Sequence, residues 1–354
     1  MNGNEPILKS HRRPDVATTV VPVGSVRFGD GSYPVLAGPA AVESEEQIKG
    51  VAEAIAEAGG SVLRARTVVA GTSPYGFRGL GDEASLLLEL AGREVGLPTA
   101  TEVLDATGLG PISDHVDLLE VGPDNMQNFT LLRAVGATGR PVMLHRGSAA
   151  TIDEWLLAAE YILDEDNDNV VLCERGSRGF DPRTSETLDI SAIPVVQQLS
   201  HLPVVVDPSP TVRGAEILEP LALAARSAGA DGLVVAVHPE PAHALVGNGN
   251  QLDPEQFAHL MTTLGIPSLR DEIDRIDREL LKLVARRLHS SVDIARIKAT
   301  GNLAIHSPLR EDELIEEARA DAAAMEIDPD YAQQLMELIL EHSRAAQRRA
   351  LGDE

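Results

Sequence analysis

Leu269-Arg270-Asp271-Glu272-Ile273-Asp274-Arg275-Ile276-Asp277-Arg278-Glu279-Leu280-Leu281 keeps its apolar residues three and four positions apart. The spacing continues through Leu283, Val284, Leu288, Val292 and Ile294 to Ile297, with Pro267-Ser268 before it and Gly301 after it. That period predicts one amphipathic helix of roughly nine turns. A second helical pattern opens at Pro308 and carries Arg310 and Glu311. A third runs from about Asp328 and places Ser343 and Gln347 on one face, four residues apart. The end of the chain therefore reads as an all-α unit of three helices.

Helix geometry constrains what this unit can bind. Arg287 and Lys298 are 11 residues apart, so they share a face at roughly 16 Å, and two long side chains leaning together can grip one small anion. Arg270 lies 28 residues before Lys298, roughly 42 Å along a straight helix, too far for both to reach one metabolite from one chain. If Arg270 serves the site, it comes from a second protomer. Any one Arg or Lys on a long helix is more simply a solvated group, so the argument rests on the set.

Over residues 269 to 347 the sequence resembles the all-helical chorismate mutase family. The resemblance is carried by Leu269-Arg270-x-x-Ile273-Asp274-x-x-Asp277-x-x-Leu280-Leu281, Arg286-Arg287, Lys298, Arg310-Glu311 and Ser343-Arg344-Ala345-Ala346-Gln347. It implies a dimer of interlocked three-helix chains in which the first arginine crosses to the other protomer's site. It also implies that Arg270, Arg287 and Arg310 hold the two carboxylates of chorismate. Lys298 and Gln347 would meet the ether oxygen, Glu311 the ring hydroxyl, and Ser343 would help to seat a carboxylate. Ser307 departs from the family, which usually has Asp three residues before the arginine. Conversion of chorismate to prephenate is a unimolecular rearrangement needing no nucleophile, metal or cofactor. The protein has to fix a reactive conformer and place donors where negative charge grows on the breaking ether bond. Arginines suit the carboxylates, and a lysine suits the point charge.

Upstream, β-branched and apolar runs end at Gly38, Arg66, Glu102, Gly122, Arg146, Arg175, Pro208 and His238. Helical stretches lie between them, among them Glu45 to Ala58, Asp82 to Val95, Met126 to Val135, Ile152 to Leu163 and Ala215 to Ala228. Eight such strands alternating with helices predict a (β/α)8 TIM barrel with its polar residues at the strands' C-terminal ends. Residues 1 to 17 read as a loose arm. Residues 18 to 34 read as a hairpin, with Val20 to Phe28 its first strand and Gly29-Asp30-Gly31 its turn. The expected division is 1–34 arm and hairpin, 35–265 barrel and 268–354 helical domain.

The barrel resembles the 3-deoxy-7-phosphoheptulonate (DAHP) synthases, in the subgroup shared with 3-deoxyoctulosonate 8-phosphate synthases. The residues are Gly38-Pro39-Ala40-Ala41-Val42-Glu43-Ser44, Thr72-Ser73-Pro74-Tyr75-Gly76-Phe77-Arg78-Gly79-Leu80-Gly81, Asn125-Met126-Gln127-Asn128-Phe129, Leu172-Cys173-Glu174-Arg175-Gly176 and Val206-Asp207-Pro208-Ser209. The resemblance implies an aromatic (shikimate) pathway and a divalent metal held by Cys, His, Glu and Asp. Here those positions are Ala40, Pro210, Ala236 and Gly247. The family's K-P-R-T-S stretch reads Val69-Ala70-Gly71-Thr72-Ser73, and its L-K-R-G lysine is His145. The expectation is a barrel without metal or cofactor that has lost metal-dependent condensation. Arg64, His145, Arg146, Arg175 and Arg178 are left as a possible residual anion site. The alternatives are remnants paired with Glu102, Glu120 and Glu174, or a changed phosphoenolpyruvate-dependent reaction.

Composition sets the outer limits. A formal net charge of -25 argues against nucleic acid and anionic membrane as partners, so any anion site must be a local basic cluster. No apolar run is long enough to span a membrane, and no charged-then-apolar leader opens the sequence. The one cysteine, Cys173, excludes an internal disulfide. Together with what the two resemblances imply, these features lead us to expect a cytoplasmic chorismate mutase, homodimeric through its helices and able to form a higher oligomer through the barrel. The barrel is expected to act as a scaffold or effector module, or as a partner of an intact DAHP synthase. Two further alternatives stay open: an isochorismate pyruvate-lyase in the helical domain, and the whole chain as a non-catalytic regulator of an intact DAHP synthase.

Overall fold

The computed structural model describes residues 8–12, 18–70, 75–181, 184, 186–211, 215–247, 249–266, 269–300, 307–325 and 327–351, with backbone alone at 215, 269–272, 274, 275, 278, 279 and 300. It falls into two units, Met1–Leu269 and Arg270–Glu354.

In the first unit, β1 (Val21–Val23) pairs antiparallel with β2 (Val26–Phe28), Val23 opposite Val26. The hairpin therefore turns at Gly24-Ser25, not at the expected Gly29-Asp30-Gly31. Gly24 has φ +55°, the left-handed conformation that the first position of a two-residue hairpin loop favours. The arm is also less loose than expected where it is described. The backbone N–H groups of Lys9 and Ser10 donate to the Glu160 carboxylate at 2.9 and 2.6 Å, and Arg12 N donates to Leu199 O at 2.8 Å.

Eight strands follow: β3 (Val35–Gly38), β4 (Val62–Arg64), β5 (Thr99–Glu102), β6 (Leu118–Val121), β7 (Val142–His145), β8 (Val170–Glu174), then, after a short ribbon of β9 (Ser177–Arg178) and β10 (Glu186–Thr187), β11 (Val204–Val206) and β12 (Gly232–Ala236). They close a parallel barrel in the order β11-β12-β3-β4-β5-β6-β7-β8. Each ends within two residues of the point where a hydrophobic run of the sequence ends. The surrounding helices are α1 (Glu45–Glu57), α2 (Asp82–Val95), α3 (Leu109–His115), α4 (Phe129–Gly136), α5 (Ile152–Leu163), α6 (Ala192–Leu199), α7 (Ala215–Ser227) and α8 (Pro254–Thr263). Helix starts are fixed by side chains that satisfy free N–H groups: Ser44 caps α1, and Thr151 and Asp253 form capping boxes on α5 and α8. Buried Trp155 of α5 donates its indole N–H to Leu144 O at 3.1 Å, tying that helix to β7.

The barrel interior is built in storeys, because residues two apart on a strand face the same side. The lower storey is apolar: Leu36, Val62, Ala100, Leu118, Met143, Val171, Val205 and Val234 cluster with Val21, Val23 and Phe28, so the N-terminal hairpin plugs the bottom. Two residues further along the same strands stand Gly38, Arg64, Glu102, Glu120, His145, Cys173, Asp207 and Ala236. At five of these eight positions the sequence thus changes from hydrocarbon to a polar, titratable side chain in one step, at the C-terminal mouth. Gly38 admits no side chain, since a Cβ there would lie 1.8 Å from Arg64 O.

The second unit is α9 (Leu269–Thr300), α10 (Pro308–Ala324) and α11 (Pro329–Leu351). Arg287 bonds Ser343, and Gln347 bonds Ser291, one turn further on both helices. The two contacts advance together, so α9 and α11 run parallel there and α10 is the return.

Candidate functional site

At the barrel mouth a cavity of about 190 Å³ is lined by Arg64, Arg66, Glu102, His145, Arg175 and Asp207 among others. Glu120, 1% exposed, supports it from within. Arg64 Nε donates to both Glu120 oxygens at 2.7 and 2.9 Å, and His145 Nε2 lies 3.0 Å from the same carboxylate. Burial alone would raise the Glu120 pKa, but Arg64 and then His145 hold it well below the usual carboxylate range. Arg66 donates to Ala40 O at 2.8 Å and lies 4.0 Å from Glu102.

Of the expected anion group, Arg64, His145 and Arg175 meet at this cavity, whereas Arg146 and Arg178 do not line it. The reason is strand parity: His145 faces inward, so Arg146 faces out. There it pairs with Glu174 at 2.9 Å and Asp189 at 3.3 Å. Arg178 lies exposed on the β9–β10 ribbon, opposite Glu186. Burial raises the Glu174 pKa against the pull of Arg146.

The positions at which the synthase resemblance implies metal donors converge on the same cavity. Ala40, Pro210, Ala236 and Gly247 all line it, and a Cβ on Gly247 would lie 3.0 Å from Ala40 Cβ. A methyl, a pyrrolidine ring, a second methyl and a hydrogen have no lone pair to give, so these residues do not fit a divalent metal. Among the described residues, no group of three or more His, Cys, Asp or Glu side chains is placed to hold one. His238 does not line the cavity; its Nδ1 accepts from Glu240 N at 3.0 Å, and its Nε2 lies 3.4 Å from Glu43. Of the K-P-R-T-S counterpart, Gly71, Thr72 and Ser73 lie outside the described residues.

Sequence reasoning missed Gln251 and Asp124. Buried Gln251 accepts from Ala40 N at 2.8 Å and donates to Val246 O at 2.9 Å, clamping two mouth loops together. Asp124 lines the cavity. Its signal was its place just past Gly122-Pro123, beyond the end of β6, where a barrel keeps functional groups.

In the helical unit, Arg287 Nη1 donates to Ser343 Oγ at 2.8 Å, and buried Ser343 donates to Ile339 O at 2.7 Å. Gln347 Nε2 donates to Ser291 O at 3.0 Å. Glu311 on α10 receives a hydrogen bond from Arg344 on α11, a residue to which the sequence assigned no role. Arg310 is exposed and pairs with Glu313 at 2.9 Å and Glu317 at 3.6 Å; the Glu313 hydrogen bond raises its pKa. Lys298 stands half-buried in the last turn of α9. The Arg270 side chain lies outside the described residues. The three helices thus bring Arg287, Ser343 and Gln347 together, with Glu311 held across α10 and α11.

An eight-stranded parallel barrel with charged groups at the strands' C-terminal ends has the layout of an enzyme barrel. The family model for "DAHP synthetase I family" matches residues 13–266, and that for "Chorismate mutase type II" matches residues 269–348. The chain belongs to the DAHP synthetase I family and carries a type II chorismate mutase domain fused behind the barrel. A phospho-2-dehydro-3-deoxyheptonate aldolase of Thermotoga maritima is 41% identical over 243 residues, 69% of this chain and 72% of that protein. A 2-dehydro-3-deoxyphosphooctonate aldolase of Magnetococcus marinus is 30% identical over 283 residues, 74% and 95% of the two chains. The crystal structure of the Thermotoga maritima DAHP synthase superposes with a TM-score of 0.72 at 38% identity, covering 74% of this chain and 77% of that one. No described helix is long and apolar enough to cross a membrane.

Proposed function

We propose that the chain converts chorismate to prephenate in its helical domain and that its barrel does not catalyse the metal-dependent condensation of the synthases. The observation that carries the second half is the convergence of Ala40, Pro210, Ala236 and Gly247 on one cavity. A Lewis acid cannot be held there by side chains without donor atoms. The first half is supported by the grouping of Arg287, Ser343 and Gln347. A primary amide has two N–H groups; with one on Ser291 O, Gln347 keeps the other for an ether oxygen. Arg287, oriented by Ser343, keeps guanidinium N–H groups for a carboxylate. Lys298 supplies the point charge as the ether bond breaks, Arg310 and Arg270 complete the carboxylate clamps, and Glu311 meets the ring hydroxyl. No step needs a nucleophile.

The site is completed by a second copy of the chain. Ile273, Leu280, Leu281, Leu283, Ile294 and Ile297 of α9 are each more than half exposed, a stripe that a partner helix would cover. The barrel then serves as scaffold or effector module, or docks an intact DAHP synthase, in the cytoplasm. A second reading, retained or changed condensation at the barrel, is favoured by the 41% identity to the Thermotoga maritima aldolase.

One assay separates these readings: loss of chorismate absorbance with and without EDTA, with products identified, beside phosphoenolpyruvate consumption with erythrose 4-phosphate and added Mn²⁺. The expected result is EDTA-insensitive formation of prephenate and no condensation. Phosphoenolpyruvate consumption above background would overturn the barrel reading. Salicylate and pyruvate from isochorismate would move the helical domain to lyase chemistry, and absence of turnover on either substrate would leave a regulator.

A further inference from the structure

Two opposite charges at the barrel mouth make no ion pair with a described side chain. The β11–β8 register pairs Val205 with Cys173 and Val206 with Glu174; one residue further it sets Asp207 beside Arg175. Both line the cavity. Asp207 is 3% exposed and accepts one hydrogen bond, from Ser209 N at 3.1 Å. Arg175 makes no hydrogen bond or ion pair among the described residues, and its Nε is unsatisfied; Glu186 lies within electrostatic reach of Arg175, and Arg64 within that of Asp207, without bonding them. The neighbouring cations are engaged: Arg64 is held by Glu120, and Arg66 by Ala40 O with Glu102 nearby. Asp207 is buried and Arg175 half-buried, and charges withdrawn from water are disfavoured unless paired, so the geometry favours a ligand that answers both groups.

The rest of the cavity narrows the class. The same cavity is walled in part by small or apolar residues, Ala40, Pro210, Ala236 and Gly247. The volume of about 190 Å³ corresponds to roughly six waters at about 30 Å³ each. Among the described lining residues, three guanidinium groups (Arg64, Arg66, Arg175) face three carboxylates (Glu102, Asp124, Asp207). A dianion would meet three guanidinium groups but also three lining carboxylates, with Glu120 behind them, and a bare cation would meet Arg175. A molecule with a carboxylate, an ammonium and a compact apolar group matches all three features.

We infer that the barrel mouth binds a small zwitterion of the α-amino-acid class, carboxylate on Arg175, ammonium on Asp207 and side group on the Ala40–Ala236 wall. This rests on the reading of the barrel as non-condensing.

The test uses the full chain. The twenty proteinogenic amino acids are screened by thermal shift, and hits are titrated calorimetrically beside their des-amino acids, their decarboxylated amines and inorganic phosphate. At least one amino acid is expected to bind at about 10 mM or tighter, and about ten-fold or more tighter than either truncated analogue. Arg175→Ala and Asp207→Asn should each weaken it about ten-fold or more. Ala236→Leu, which fills the wall and leaves the charges in place, should abolish it. Mutase turnover without ligand serves as the folding control for all three variants. Phosphate binding more tightly than every amino acid, or no amino acid binding at about 10 mM, would overturn the inference. Condensation by the same preparation would overturn the underlying reading of the barrel, whereas loss of binding without condensation sinks this inference alone.

Discussion

Glu120 shows how one residue sets the character of the barrel mouth. Its carboxylate, 1% exposed, carries Arg64 and His145, and its pKa is lowered in the folded protein. A carboxylate depressed on folding stabilises the protein above its unfolded value, about 4.3 for Glu. That contribution is lost as the pH falls from there through the folded value. Chemical denaturation across pH 6 to 3 should therefore show stability falling below about pH 5. Glu120→Gln should flatten part of that slope. It should also cost about 3–5 kcal/mol at neutral pH, because Arg64 is left buried and unpaired; an unchanged slope would refute the assignment. In the helical unit, Lys298→Ala and Gln347→Ala should each lower kcat about 100-fold or more, since each donor acts mainly in the transition state. Helical content by circular dichroism should not change, and near-normal turnover in either variant would remove the assigned role.

At the scale of elements, the hairpin behaves as part of the barrel core. Phe28 is fully buried among the lower-storey residues, so Phe28→Ala should destabilise the barrel by about 3–5 kcal/mol, read from the denaturation midpoint. Mutase turnover of the folded variant should persist. The eight barrel strands were legible because each is a short apolar run that turns polar at its C-terminal end, and the storeys repeat that pattern around the barrel. What escaped had weaker signals. Helix α3 carries Gly110 and Pro111 within seven residues, and α6 carries Pro194 within eight, so neither shows a sustained helical period. The hairpin turn was misplaced because Gly29-Asp30-Gly31 has the stronger turn composition, while Gly24-Ser25 has the geometry. At the sites, residue identity could be read along the chain but commitment could not. Sequence placed Arg146 beside His145, and only strand parity shows one facing the cavity and the other bound to Glu174. The Arg344 contact to Glu311 joins residues 33 positions apart on two helices, beyond any local period.

At the scale of the whole molecule, the two units differ in what they lack. The barrel is closed and self-sufficient, its core sealed below by its own hairpin. The helical unit leaves a stripe of α9 half or more exposed, and its first arginine is roughly 42 Å of helix from Lys298. The proposed dimer would answer both facts: a second copy's α9 would cover the stripe, and its Arg270 would reach the first copy's lysine. Mixing then becomes a test. Arg270→Ala carries an intact Lys298, and Lys298→Ala carries an intact Arg270. A heterodimer of the two holds one site with both defects and one with neither. Random exchange of equal amounts makes half the dimers mixed, each with one intact site of its two, so turnover should recover to about a quarter of the wild-type value if sites act independently. Each parent alone should stay near background. Recovery should track subunit exchange over time, and its absence after demonstrated exchange would place the complete site within one protomer.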